Sequence, residues 1–301
     1  MVFSIIPVGF QYLSLPYAVQ HILAFIALLA GSYTDIKTRE VPDWANLGLI
    51  GIGFGINLIF SIIYWKINFL LASIIGFAVF FSLALIMFYT GQWGGGDSKM
   101  IMGLGAVIGI DILLKHYFLL SFLFNALVVG AVYGIFWSLM LIFKNKSKFL
   151  KEFRISLKSK EVKNSRIIAI ISFFITVTIA LLAKDTFARI MFFYLAIIIA
   201  ATFYLLIVVK AVEISCMLKY VKPHQLTEGD WIAKDVKIDG KYITGPKDLG
   251  IEKRKIKRLI KFYKKGKIKK VLIKEGIPFV PSFFIAYALT FFYGNILLMM
   301  I

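Results

Sequence analysis

The sequence predicts an all-α polytopic membrane protein of about eight transmembrane helices, with a small α+β cytoplasmic domain placed before the last helix. Three observations carry this prediction. First, 60% of the 301 residues are hydrophobic and 17% are charged, whereas soluble domains are ~45–50% apolar; the mean hydropathy is +0.84. Second, apolar runs repeatedly reach the ~17–25 residues that a helix needs to cross a bilayer, and the short alternating segments of a barrel are not evident. Third, one stretch, residues 210–281, departs from this pattern and is basic and mixed in character.

Taken in order, the apolar runs lie at 8–33, 46–64, 68–90, 98–114, 117–143, 167–183, 190–209 and 282–301. The first lacks a basic n-region and a small-residue cleavage site, so it reads as a retained helix rather than a secretory signal. The run 98–114 is short for a span and is expected to tilt little or to begin in a protein-lined cavity. The single cysteine, Cys216, provides neither a disulfide framework nor a thiolate metal site.

The net charge is +19. A nucleic-acid partner is not expected, because no recognition motif accompanies the charge; anionic membrane lipid is. The loop 32–46 carries Lys37 and Arg39, and 144–166 carries nine Lys/Arg against Glu152 and Glu161. The connections 65–68, 114–117 and 184–189 are poor in charge. Alternate counting places all heavily basic segments on one side, which the positive-inside rule makes cytoplasmic.

Within 210–281, "DVKIDGKYITGP" (235–246) alternates around Asp239-Gly240, a hairpin signal. Residues 250–268 place Ile251, Ile256, Leu259, Ile260 and Tyr263 at helical spacing on a lysine-rich background, and 269–281 reads as a strand leading to the last span. The expected organisation is a transmembrane core over 1–209, a basic α+β domain over 210–281 and a final helix over 282–301. The domain is expected to lean on the core and to lie against the bilayer through its basic helix.

An ionisable side chain at membrane depth is a functional candidate. Asp35 ends the long apolar run "ILAFIALLAGSYTD", and Asp97 follows Gly94, Gly95 and Gly96 at the start of another. Both fall at the cytoplasmic edge in the expected topology. Asp43 is expected to cap the second span and Glu40 to be solvated. Asp111 lies fourteen residues beyond Asp97, about 21 Å along a helix, too far to share its site. The glycines permit positive φ and close backbone approach, suiting an extended peptide; the bland reading is a glycine turn with a capping aspartate.

Paired aspartates facing one water share a proton, since like charges oppose double ionisation. One polarises a carbonyl and the other takes a proton from water, which is aspartic-protease chemistry and requires no cofactor or metal. The motifs "GIGFG" (51–55) and "GAVIG" (105–109) are of the G-x-x-x-G kind that lets helices approach closely. Two other classes are a proton-coupled transporter with acids in its pathway and a membrane anchor for the basic domain. No internal repeat supports the former, and the latter leaves the aspartates unexplained.

These residues resemble the type IV prepilin peptidases, especially the archaeal prepilin and preflagellin peptidases, which are membrane aspartic proteases with a G-x-G-D motif. Gly94-Gly95-Gly96-Asp97 followed by Ser98-Lys99 carries the resemblance, as does "TDIKTREVPDWAN" (34–46). The resemblance is specific over about residues 20–110 and weaker in "GPKDLGI" and "KEGIPFVPSF". It implies that Asp35 and Asp97 are the catalytic pair and that Gly94, Gly95, Gly96 and Lys99 contact substrate. The implied substrates are prepilin or preflagellin precursors, cut where a basic leader meets an apolar helix. The paired cysteines of methylating bacterial members are missing, so cleavage without N-methylation is expected. A basic enzyme surface facing a basic leader is a tension, for which Glu40, Asp43 and screening lipid are the available answers.

Overall fold

The computed structural model describes residues 14–111 and 117–296. Ten α-helices and five short strands lie among these residues. Six helical segments are long and apolar enough to cross a membrane: Leu15–Thr38 (α1), Asp43–Ile63 (α2), Asn68–Tyr89 (α3), Phe118–Lys144 (α5), Lys160–Leu182 (α7) and Thr186–Met217. The last comprises α8 (Thr186–Val212) and a terminal π-helical turn, Glu213–Met217. Of the eight expected spans, six are thus present as long apolar helices; the runs 98–114 and 282–301 fall on the shorter helices α4 (Gly95–Ile108) and α10 (Val280–Tyr293), so the count of eight is not reached among the described residues. Parts of the expected spans 8–33, 98–114 and 282–301, and most of the 114–117 connection, lie outside the described residues.

The inner bundle consists of α1–α5 and α10. Helix α4 packs against α3 and α2, and α10 packs against α5 and α1. Leu28, Phe80, Met100, Leu104, Phe122 and Phe283 meet in one core. Small residues make the closest seam: a Cβ on Gly76 or Gly105 would collide with the facing backbone, while Gly109 turns at φ 72° against Ala72. The chain then donates Ile110 N–H to Ala72 O at 2.8 Å, so it has returned almost the whole length of α3. Of the glycine motifs, "GAVIG" makes such a seam, but in "GIGFG" the packed residue is the middle one, Gly53, against Ala106; Gly51 and Gly55 face open space.

Helix ends leave unpaired backbone groups, which are costly away from water. Asn57 meets this need at the end of α4, its amide lying 3.1 and 3.0 Å from the Ala106 and Val107 carbonyls. Asn125 does so at the end of α10, donating to Gly294 O at 2.7 Å and accepting Ile296 N–H at 3.1 Å.

The connection 144–166, expected as a basic loop, is mostly helical: α6 (Lys146–Lys158) runs into the start of α7. Phe149 and Phe153, one turn apart, pack with Ala211 and Val212 of α8. That apolar pair on a lysine-rich helix is the reason the segment folds back.

Residues 218–274 form a small α+β unit with its own core of Val221, Ile232, Ile251, Leu259 and Val271. Strand β5 (Val271–Lys274) is central, flanked antiparallel by β1 (Leu218–Val221) and β2 (Trp231–Ile232). Strands β3 (Val236–Ile238) and β4 (Lys241–Thr244) form the expected hairpin. Its turn residues Asp239 and Gly240 both have positive φ, 52° and 74°, as a type I′ turn requires. Helix α9 (Lys253–Lys264) buries Ile256 and Leu259 inward. Its apolar face is thus used by the unit's own core. The unit leans on the bundle: a Cβ on Gly91 would lie 3.1 Å from the Trp231 ring.

Candidate active site

Ala24, Leu28, Gly31, Ser32 and Asp35 are all buried positions of α1, spaced along one helical face. Asp35 is the last residue of that stripe and is only 6% exposed. Gly31, one turn earlier, lets Met100 of α4 and Val280 of α10 approach the helix. Arg39 then ends α1 in the left-handed region, φ 62°, its N–H bonded to Asp35 O. The Asp35 carboxylate accepts Val280 N–H at 3.0 Å. This is a free donor at the start of α10, where the helix dipole also favours negative charge.

Asp97 is placed by the turn between α3 and α4. Gly91, at φ 71°, reverses the chain after α3, and Gly94 caps α4. Asp97 Oδ2 accepts Gly94 N–H at 3.0 Å, so Asp97 is the third helical residue and reaches back to the cap residue rather than being the cap itself. The three glycines do not use positive φ. Gly95 and Gly96 already belong to α4; Gly95 is exposed, while a Cβ on Gly96 would stand 3.4 Å from that of Val41. Close approach is the property used here, and its partner is the loop after the first aspartate. Asn46 ties the same two segments together, its amide 3.5 Å from both Val41 O and Gly96 O.

The outcome is that Asp35 and Asp97, 62 residues apart in sequence, lie close enough for the charge of one to act on the other. Lys99 pairs instead with Asp43, at 2.5 Å, and both are partly exposed, so the pair adds little stability. That pairing occupies the Asp43 carboxylate. Glu40 is exposed and has acidic company, being close to Asp230 of the small unit. Burial, with Glu40 and Glu275 nearby, raises the Asp230 carboxyl above the usual carboxylate range despite its hydrogen bond from Thr227. Asp111 lies beyond the far end of α4. Among the described residues, no group of three or more His, Cys, Asp or Glu gathers to hold a metal ion.

Sequence reasoning missed Val280, Arg39 and Asn46. The first acts through a backbone N–H group 245 residues from Asp35, which no side-chain pattern announces. Two buried polar atoms near the site, Ser32 Oγ and Asn46 Oδ1, have no hydrogen-bond partner within the described chain.

Fold and site together define a multi-pass membrane protein with two interacting aspartates at helix ends. Residues 22–135 match the type IV leader peptidase family, and the resemblance read from the two aspartate segments holds over the stretch that contains both. The chain is 30% identical over 142 residues to a preflagellin peptidase of Methanocaldococcus jannaschii, covering 44% of this chain and 60% of that protein. It is 29% identical over 138 residues to one of Methanococcus maripaludis, covering 42% and 59%. A third, from Methanococcus voltae, is 32% identical over 90 residues, covering 30% and 38%. The chain thus spans about 60% of the length of the first of these relatives. No solved structure matches. These similarities favour a peptidase over a proton-coupled transporter.

Proposed function

We propose that this chain is a membrane aspartic endopeptidase that removes the leader from preflagellin-like or prepilin-like precursors, at the cytoplasmic face and without N-methylation. The observation that carries the reading is the convergence of Asp35 and Asp97, both inside the one stretch that matches the family, within electrostatic reach of one another. The organisation that goes with it is a transmembrane core over 1–209, a cytoplasmic domain over 210–281 and a final helix over 282–301.

In this reading the two carboxyls share one proton and one water. The ionised partner takes a proton from the water as it attacks the scissile carbonyl, and the protonated partner polarises that carbonyl. Placement at helix ends suits a bond at the junction of a polar leader and an apolar helix. The exposed backbone at Gly95, with Gly94 and Gly96 beside it, offers the substrate an approach free of side chains. Lys99 stands one turn away, held by Asp43. Exposed Glu40, near Asp230, supplies negative charge for a basic leader in a chain of net charge +19.

Coexpression with a tagged leader-bearing precursor tests the proposal through the intact mass of the product. The expected product lacks the leader and carries an unmodified amino terminus. A precursor left whole across a panel of such leaders, with the chain inserted in the membrane, overturns it.

A further inference from the structure

One carboxylate of the pair is held from outside the family-matched stretch. Val280, whose N–H donates to Asp35, stands where the small unit returns to the bundle, with residues 275–279 joining β5 to α10. This short strap has its own fastening. Arg39 Nη1 donates to Gly276 O at 3.3 Å, and its guanidinium lies 5.0 Å over the Trp137 ring of α5. The Phe279 ring packs on α5 at Gly130, where a Cβ would meet it. Tyr133, stacked on Trp137, is within electrostatic reach of both Asp35 and Arg39. Among the ion pairs of the described residues none joins Arg39 to Asp35; the guanidinium is turned to the strap's carbonyl instead.

We propose that Arg39 is a positioning residue for Asp35, acting through the Gly276–Val280 strap; the inference rests on the reading of Asp35 as catalytic. A carboxylate at the end of a helix turns about its terminal torsion, which is broad. A backbone donor from the start of a packed helix opposes that rotation. With Oδ2 committed to Val280 N–H, the carboxylate keeps one face for the water shared with Asp97. The strap holds this position only while anchored, and Arg39 anchors it at Gly276 while standing on Trp137. A planar guanidinium does both at once: it stacks on an indole and directs a donor in its own plane, which a lysine ammonium does less well. Arg39 also begins at the aspartate, since its own N–H closes the end of α1 on Asp35 O. One residue therefore sets the backbone of Asp35 directly and its carboxylate through the strap. Site precision of this kind depends on the supporting groups as much as on the reacting ones.

The test uses the full chain in lipid nanodiscs with a preflagellin-type precursor, and compares wild type, Arg39→Gln, Arg39→Lys and Asp35→Asn. Arg39→Gln is expected to lower kcat by about tenfold or more with KM within about twofold, the signature of lost orientation rather than lost substrate binding. Arg39→Lys, keeping the charge and one donor, is expected to recover part of that loss. Amide hydrogen exchange gives a readout independent of cleavage: peptides covering 276–283 should exchange faster in Arg39→Gln by about tenfold, with α3 peptides unchanged. Unchanged exchange in 276–283, or wild-type kcat in Arg39→Gln, overturns the inference. If Arg39→Gln does not insert, Arg39→Lys and Trp137→Leu decide by the same exchange measurement, faster exchange supporting the strap and unchanged exchange refuting it. Cleavage surviving in Asp35→Asn removes the underlying reading instead, whatever Arg39 does.

Discussion

The inner bundle and the outer pair α7–α8 are built from the same apolar alphabet but are specified differently. In α4, Ser98, Met100, Ile101, Gly103, Leu104, Gly105, Ala106 and Val107 are all buried, and glycines meet backbone across the seam with α3. Helix α7 buries only Val162, Thr176 and Ala180, while Ile168, Phe174 and Leu182 face outward. Lipid tails are as apolar as leucine, so helices in a bilayer associate by close packing and polar contacts rather than by hydrophobicity. The inner bundle uses both devices, with residues of fixed size at fixed places. The outer pair needs chiefly to be apolar. The family match, residues 22–135, falls on the inner bundle, yet α10 lies outside that match and inside the same core. Recognisable likeness and structural core therefore have different boundaries.

This contrast can be broken by substitution. Gly105→Leu places a side chain on Gly76 O and Phe80, so it should cost about 3 kcal/mol, read as thermal stability in detergent. Gly134→Leu, with nothing within 4 Å of its Cβ, should change stability by less than about 0.5 kcal/mol. Equal losses would mean that the seam is not what specifies the bundle.

A smaller effect is expected from the polar contacts. Asn125→Leu removes the partner of Thr290, Gly294 and Ile296 and should cost about 1–2 kcal/mol. Thr178→Val in α7 breaks a bond only to its own helix, at Phe174 O, and should cost less than about 0.5 kcal/mol. A larger loss in α7 would place the determinants of stability in the outer pair.

The smallest effect belongs to the small α+β unit. Burial raises the Asp248 carboxyl, but hydrogen bonds from Lys255 and Thr244 outweigh it and hold the group below the usual carboxylate range. A depressed folded value adds stability above the unfolded pKa of about 4 and loses it as pH falls through the folded value. Asp248→Asn should thus weaken the unit by about 1 kcal/mol near neutral pH and by progressively less in acid. A difference that persisted undiminished in acid would show that the carboxylate charge is not the cause.

Much of this was legible in the sequence, for reasons that can be named. Asp239-Gly240 predicted its hairpin because only a few residues tolerate two successive positive φ values. Asp35 and Asp97 stood out because a carboxylate bordering an apolar run needs a reason. The short α4 was hinted at by the short run from 98, but not its glycine seam with α3: which glycine of "GIGFG" packs depends on the rotation of α2 against α4, and spacing alone does not set that. Helix α6 was hidden because lysines dominate its composition, although Phe149 and Phe153 at i and i+4 carry the amphipathic signal. The hold of Val280 on Asp35 was not legible at all, since a backbone donor leaves no residue type behind.

The most direct test of the central claim, that Asp35 and Asp97 act as one unit, is the rate at which the purified chain in nanodiscs cleaves a leader-bearing precursor when each aspartate is changed singly. Asp35→Asn and Asp97→Asn should each lower the rate by about a thousandfold or more with insertion and thermal stability retained, and Asp111→Asn should leave it near wild type. Full cleavage by either of the first two variants, or loss of cleavage in Asp111→Asn alone, would contradict the pairing.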